Sequence, residues 1–237
     1  MVKYNELIID GVGTSSFPFD VIVLEGPTIQ VGLSKDKLLS HDGVVQSNSH
    51  REAIEKKYTL QLINPTELQI LEFVQFLSKR NFWLENQQNK LTRWFCYQTK
   101  VSDTQRDKTK MYSLEVTFIC HPTKYMKSND VQTLTSNGVL KLQGSSLAFP
   151  KITIRGTSSS ETSFTVGKQT IKLEQLSDSA VMVNDPQNPS FLDKKGNLVK
   201  WSGDFITIDA NQAQKTVGVV LGSGIQSLVF ETNWGWL

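Results

Sequence analysis

The chain has 237 residues, of which 38% are hydrophobic and 20% are charged, and its formal net charge at pH 7 is +2. This composition excludes wholesale disorder, and the balanced charge leaves no basic footprint for nucleic acid or for an anionic membrane. Because domains most often contain about 100 to 150 residues, we expect two domains.

Strand signals dominate the first 130 residues, where runs rich in Val, Ile, Thr, Phe and Tyr recur between turn-forming residues. Apolar and polar residues alternate over residues 58–62 and again over 112–118, which predicts two strands that each bury one face. We expect these two strands to be central in one sheet. The polar stretch from about Ser34 to Lys56 indicates a long loop.

One helix is predicted between these two strands, from about residue 65 to 79. Asn64 is a good N-cap, Pro65 suits the first helical position, and Glu67 stands three residues after the cap. Gln69 is expected on the polar face. The apolar residues recur at helical spacing and predict one buried stripe, formed by Ile70, Phe73, Val74 and Leu77.

Cys96 and Cys120 are the two cysteines, and each lies in an apolar run typical of a strand. We expect buried, reduced thiols made in a reducing cytoplasm, with a disulfide left open in the absence of coordinates. The first residues, Met1 to Glu6, lack the basic region and apolar run of a secretion signal, and no apolar run reaches membrane-spanning length. We therefore expect a soluble protein without its own export signal.

A polar connector from Ser128 to Ser146 follows His121, and it predicts a domain boundary near Asp130. The expected domains are residues 1–130, with the helix, and residues 131–237. Seven short strand signals separated by turns predict a β-sandwich for the second domain: residues 151–154, 164–166, 170–173, 180–183, 205–208, 217–220 and 227–230. The fold class is therefore mainly β.

The terminal pair Trp234 and Trp236 stands where most chains fray. Each Trp can bury about 150 to 250 Å², so we expect both to be docked, on their own domain or on a neighbouring copy. They are candidate assembly contacts.

Catalytic and metal signatures are absent from the sequence. Gly11-Val12-Gly13 lacks the third glycine and the helix of a dinucleotide fingerprint, and no serine-hydrolase elbow is present. The spacing of His41, His50 and His121 suits no zinc site. We expect no enzyme, no metal and no cofactor.

Two weaker interpretations concern the surface. Trp201, near Asp193 and Asp204, is a candidate sugar contact, and it supports an alternative function as a noncatalytic carbohydrate-binding module for host cell-surface glycans. The basic cluster from Arg106 to Lys110 lacks interleaved aromatic residues, so we expect a solvated hairpin tip, with contact to an acidic neighbour as the alternative.

Several stretches along the whole chain together carry a family resemblance, although none is a catalytic signature. They are Leu-Ile-Ile-Asp-Gly at 7–11, Glu-Gly-Pro-Thr-Ile-Gln at 25–30, Leu-Ile-Asn-Pro-Thr-Glu at 62–67, Phe-Ile-Cys-His-Pro-Thr at 118–123, Ala-Phe-Pro-Lys-Ile-Thr at 148–153, and the terminal Trp-x-Trp. In their order and spacing they resemble the distal tail proteins of long, noncontractile-tailed phages.

The resemblance implies an N-terminal β-sandwich with a helix, which closes into a homohexameric ring, and a galectin-like C-terminal β-sandwich at its rim. Such a ring joins the tail tube to the tail-associated lysin or fibre hub and contacts receptor-binding or baseplate proteins. The implied protein is structural and noncatalytic. It is encoded by a phage or prophage, made in the host cytoplasm and located in the virion at the distal end of the tail.

Overall fold

The computed structural model describes residues 6–30, 33–39, 45–106, 110–186 and 188–237. The chain forms two compact units, Met1–Lys124 and Tyr125–Leu237. Its architecture is mainly β, as the strand signals predict, and the described residues include one α-helix.

The first unit contains a 3-10 helix, Thr14–Ser16, one α-helix and a set of antiparallel strands. The strands are β1 (Leu7–Ile9), β2 (Val12–Gly13), β3 (Asp20–Gln30), β4 (Leu33–Leu39), β5 (Val45–Arg51), β6 (Ile54–Ile63), β7 (Arg80–Asn86), β8 (Thr92–Val101), β9 (Gln105–Arg106) and β10 (Met111–Met126), the last of which ends two residues into the second unit.

The main sheet of this unit has the strand order β2-β1-β7-β8-β10-β6-β3. The two strands with alternating sequence, β6 and β10, are neighbours near its middle, and their register pairs Tyr58 with Val116 and Leu60 with Leu114. These four side chains are buried, because alternate residues of both strands face the core. The prediction of two central strands is confirmed.

The stretch expected to be a long polar loop is instead a hairpin, since β4 and β5 pair from Leu33↔Arg51 to Leu39↔Val45. Backbone hydrogen bonds carry strand pairing, so a polar composition alone does not exclude it. His41 and residues 107–109 of the basic cluster lie outside the described residues.

The helix α1 spans Glu67–Leu77, within the predicted range, but its cap differs from the predicted one. Thr66 is the N-cap, and Gln69, three residues later, completes a capping box. The backbone N–H of Gln69 donates to Thr66 Oγ1 at 3.3 Å, and the backbone N–H of Thr66 donates to Gln69 Oε1 at 2.8 Å. Asn64 instead adopts φ 53° between β6 and the helix. The assignments of Asn64 as the cap, of Pro65 as the first helical residue and of Glu67 as the partner of the cap are therefore wrong.

The core of the first unit is rich in aromatic contacts around the helix. Ile70, Phe73 and Leu77 of the predicted stripe are buried, and Val74 is half-buried against the same core. Phe73 packs edge-on against Phe17 at 4.9 Å between ring centres. The helix thus covers one face of the sheet, as its apolar spacing predicts.

A charged residue is also part of this core. Lys56 is 4% exposed, and its ammonium lies 3.3 Å from Glu25 Oε1 and 4.1 Å from the centre of the Trp94 ring. Because a buried charge is costly without a partner, the carboxylate and the ring face together account for its position.

The second unit is built of short strands. They are β11 (Asp130–Leu134), β12 (Gly138–Lys141), β13 (Leu147–Ala148), β14 (Lys151–Ser158), β15 (Thr162–Val166), β16 (Gln169–Leu173), β17 (Leu176–Val183), β18 (Ser190–Asp193), β19 (Trp201–Ser202), β20 (Ile208–Asp209), β21 (Thr216–Leu221), β22 (Ile225–Thr232) and β23 (Gly235–Trp236).

Two five-stranded antiparallel sheets, β11-β22-β14-β17-β18 and β12-β21-β15-β16-β19, supply the inward residues of one shared core, as in a β-sandwich. The predicted strand at 205–208 is wrong, because only Ile208 belongs to a strand there. This segment is held instead by side chains. Asn184 Oδ1 accepts from the Ile206 N–H at 2.7 Å. Gln169 Nε2 donates to the Thr207 carbonyl at 2.6 Å, and Gln169 Oε1 accepts from the Thr207 N–H at 3.0 Å.

Backbone hydrogen bonds hold Trp234 and Gly235 against the rest of the second unit. The Met126 N–H donates to the Trp234 carbonyl at 2.9 Å, and the Gly235 carbonyl accepts from the N–H groups of Ser145 and Ser146 at 2.9 and 3.1 Å. Gly144 has φ +78°, and a Cβ at this position would lie 2.2 Å from the Gly235 carbonyl oxygen. Only glycine permits this close approach.

Candidate functional site

Asp193, one of the acidic residues near Trp201 in the sequence, is hydrogen-bonded within a turn. Asp193 accepts hydrogen bonds from Asn197 and from the Lys195 backbone N–H inside its own turn, and the bonds from Asn197 chiefly lower the pKa of this carboxyl. Within the described ranges, no group of three or more His, Cys, Asp or Glu residues is arranged to hold a metal ion.

Trp201, the candidate sugar contact, lies half-buried against the core of the second unit. Its ring makes edge contacts with Phe191 at 5.5 Å and with Phe205 at 5.1 Å. A groove of about 560 Å³ in the same unit is lined by Lys168, Gln169 and Asp209 but not by Trp201. The sugar contact at Trp201 stays a prediction.

The terminal tryptophans differ from each other. Trp234 is 1% exposed in the core of the second unit, and its indole Nε1 donates to Asp130 Oδ2 at 2.9 Å. A side chain this buried has no free surface for a second chain. Trp236 is half-buried against the same core. Its role as an assembly contact stays a prediction.

An aromatic row runs across the outer face of the first unit's sheet. The row consists of Trp83 on β7, Phe95 and Tyr97 on β8, and His121 on β10, and these residues alternate with the buried ones of the same strands. Successive ring centres are 5.3, 5.7 and 6.3 Å apart. The Arg93 guanidinium stacks on Trp83, with its carbon 4.0 Å from the ring centre.

Partial burial shifts the pKa values of titratable groups in and beside the aromatic row. Burial raises the pKa of the Tyr97 hydroxyl and lowers the pKa values of the Arg93 guanidinium and the His121 imidazole. In each case the charged form is disfavoured by lost solvation. Tyr97 is still 40% exposed, so the row remains accessible at the surface.

A second apolar patch lies on the outer face of α1. Leu68 and Leu71 are 66% and 63% exposed, one helical turn apart, and Glu67 and Glu72 are exposed beside them. This helix face is acidic and apolar, whereas the cation of Arg93 lies at the Trp83 end of the aromatic row. Since α1 packs on the inner face of the sheet, the two patches lie on opposite sides of the first unit.

The arrangement suits protein association more than chemistry, because it offers aromatic and Arg side chains, the types that dominate contact energies at interfaces. The sequence interpretation did not identify the row. Its signal is the alternation over residues 93–97, in which Arg93, Phe95 and Tyr97 occupy every second position. Among the described helices, none is both long and apolar enough to cross a membrane.

Comparisons with known proteins identify the fold. No protein-family model and no curated protein sequence matches the chain. Among solved structures, the chain is similar to the Dit protein, gp 19.1, of SPP1, described as a paradigm of the hub adsorption apparatus in phages that infect Gram-positive hosts. The TM-score is 0.69 over 99% of this chain and 100% of that one, at 15% sequence identity.

The chain has the fold of a phage Dit protein. The predictions of a mainly β fold and of a structural likeness to distal tail proteins are confirmed. Because the match covers 99% of this chain, both units contribute to it.

Proposed function

We propose that this chain is a structural, noncatalytic component of a phage tail tip. It forms a homohexameric ring that joins the tail tube to the tail-associated lysin or fibre hub and anchors receptor-binding or baseplate proteins. The proposal also takes the first unit as the ring-forming domain and the second as a galectin-like domain at the rim. The observation that supports it best is the full-length likeness to SPP1 Dit.

Native mass spectrometry and light scattering on the purified protein, alone and with the tube and hub proteins of the same phage, test this proposal. We expect a closed ring, visible by negative-stain imaging at least once these partners are added. A chain that stays monomeric and binds neither partner would overturn the proposal.

The two patches of the first unit fit the ring geometry. A ring with one kind of contact is head-to-tail, so each subunit needs two different surfaces that face in different directions. We propose that the outer face of α1 on one copy docks on the aromatic row of the next copy. Leu68 and Leu71 would cover the rings, and Glu72 would pair with Arg93.

A charge exchange tests this contact. Arg93→Glu and Glu72→Arg each place like charges together, so each single variant should weaken ring formation at least about tenfold, and the double variant should restore much of it. The matched control is Lys90→Glu, an exposed charge reversal in the same β7–β8 hairpin but outside the row.

The possible results separate the two proposals. If both single variants form rings as well as the wild-type protein does, the proposed contact is overturned and the proposed ring function is unaffected. Loss of the ring in both single variants without rescue in the double variant would also argue against the Glu72–Arg93 pairing.

A further inference from the structure

The two cysteines of the first unit meet in its core. Cys96 lies on β8 and Cys120 on the neighbouring strand β10, and both side chains are fully buried. Their Sγ atoms are 2.7 Å apart, although both thiols are free. This separation is shorter than the roughly 3.5 to 4.0 Å at which non-bonded heavy atoms rest, and longer than the roughly 2.05 Å of a disulfide bond.

From this geometry we propose that Cys96 and Cys120 are a redox modification site, which forms an intramolecular disulfide when the chain leaves reducing surroundings. The neighbouring strands already bring the two sulfurs together, so forming the bond requires a small closing movement and no change of strand order. The inference concerns only the core of the first unit and does not depend on the proposed function.

The oxidant is a small-molecule disulfide such as oxidised glutathione. The Cys96 thiolate attacks one sulfur of the oxidant, forming a mixed disulfide and releasing one glutathione thiolate, which takes up a proton. The Cys120 thiolate then attacks Cys96 Sγ and releases the second glutathione. The protein loses two protons and two electrons, and the oxidant takes up both and is reduced to two thiols.

Burial decides when this exchange takes place. It raises the pKa of the Cys96 thiol, and it leaves no room for glutathione between β8 and β10. The exchange therefore proceeds while the strands are apart, during folding or transient opening, and the finished bond is then shielded from reductants. A bond in this position links two adjacent strands of the main sheet.

The test uses the full-length protein, unfolded in guanidinium and refolded with either reduced or oxidised glutathione. Each sample is then denatured and treated with N-ethylmaleimide, and its intact mass is measured. We expect two maleimide groups on the reduced sample and none on the oxidised sample, which should be a monomer lighter than the reduced chain by two hydrogens. Two free thiols, a retained glutathione or a disulfide-linked dimer after oxidative refolding would overturn the proposal.

Thermal unfolding supplies a second readout. The bond should raise Tm by about 5 to 10 °C relative to the reduced protein, because it closes a loop of some 25 residues in the unfolded chain. Cys96→Ala and Cys120→Ala are the matched controls, and neither should show the rise. A bond that forms but lowers Tm would contradict the claim that the native sheet holds the sulfurs ready to bond.

Discussion

The two units stabilise their cores in different ways. In the first, aromatic rings pack around α1, with Phe73 against Phe17 and Phe19. In the second, aliphatic residues from two facing sheets share the core with buried rings such as Phe230 and Trp234. Amide side chains such as Asn184 and Gln169 also hold irregular segments over this core by hydrogen-bonding the backbone groups of those segments. Both cores contain large rings, and the second depends also on irregular segments that close it at its edges, namely residues 205–208 and 233–237.

The difference indicates where each unit is vulnerable. Loss of one ring in the first unit leaves a large cavity, because its neighbours pack around that ring. Loss of a closing segment in the second unit exposes apolar core and leaves buried polar groups without partners. The following predictions test this contrast, from the largest expected effect to the smallest.

Deletion of residues 233–237 should have the largest effect. It removes the buried Trp234, worth about 3 to 5 kcal/mol alone, together with the backbone bonds to Met126, Ser145 and Ser146. Calorimetry should show a much lower unfolding temperature for the second unit. Removal of the exposed Leu237 alone is the control, and wild-type melting of the longer deletion would contradict the closing role of this segment.

Phe73→Ala should cost about 3 to 5 kcal/mol, because this ring is fully buried between the helix and the sheet. Leu71→Ala, on the exposed side of the same helix, should cost less than about 0.5 kcal/mol. Urea unfolding of both variants measures the difference. Similar small losses at both positions would show that the aromatic core does not depend on this ring.

Asn184→Ala should cost about 1 to 3 kcal/mol, because the Pro150 carbonyl and the Ile206 N–H lose the amide that bonds both. Gln226→Ala, an exposed amide in β22, is the matched control and should be nearly neutral. Denaturant unfolding gives both values. If Asn184→Ala costs as little free energy of unfolding as the control, the Asn184 side chain does not hold residues 205–208 in place.

Gln69→Ala should have the smallest effect, about 0.5 to 1 kcal/mol, since it removes one half of the capping box and no core packing. Gln75→Ala, exposed on the same helix, controls for helix propensity. Differential scanning fluorimetry compares the pair. Equal melting temperatures would mean that the box adds nothing to a helix already fixed by its buried stripe.

The periodic elements were predictable from the sequence because period is a local property. The stripe of Ile70, Phe73 and Leu77 follows from their spacing, and the alternation in β6 and β10 predicts their buried faces. The cap was not predictable, because residues 64–69 contain two overlapping capping patterns. Asn64 continues from β6, and its N–H donates to the Lys110 carbonyl at 3.3 Å, so tertiary structure selects Thr66.

Strand order explains what sequence reasoning missed. The contact between Cys96 and Cys120 and the continuity of the aromatic row both require β8 to lie beside β10, which no local pattern encodes. The bonds from Asn184 and Gln169 to residues 206 and 207 likewise join segments distant in sequence. A β-rich run at 205–208 therefore resembled a strand, although side chains hold it in place.

Strands β11 and β22 bring the two ends of the second unit side by side. Asp130 of β11 pairs with Thr232 of β22, and Met126 bonds to Trp234 close by. A unit whose two ends are neighbours can be cut out and joined into another loop without stretching either connection. The second unit therefore has the neighbouring ends that insertion into a surface loop of another chain requires.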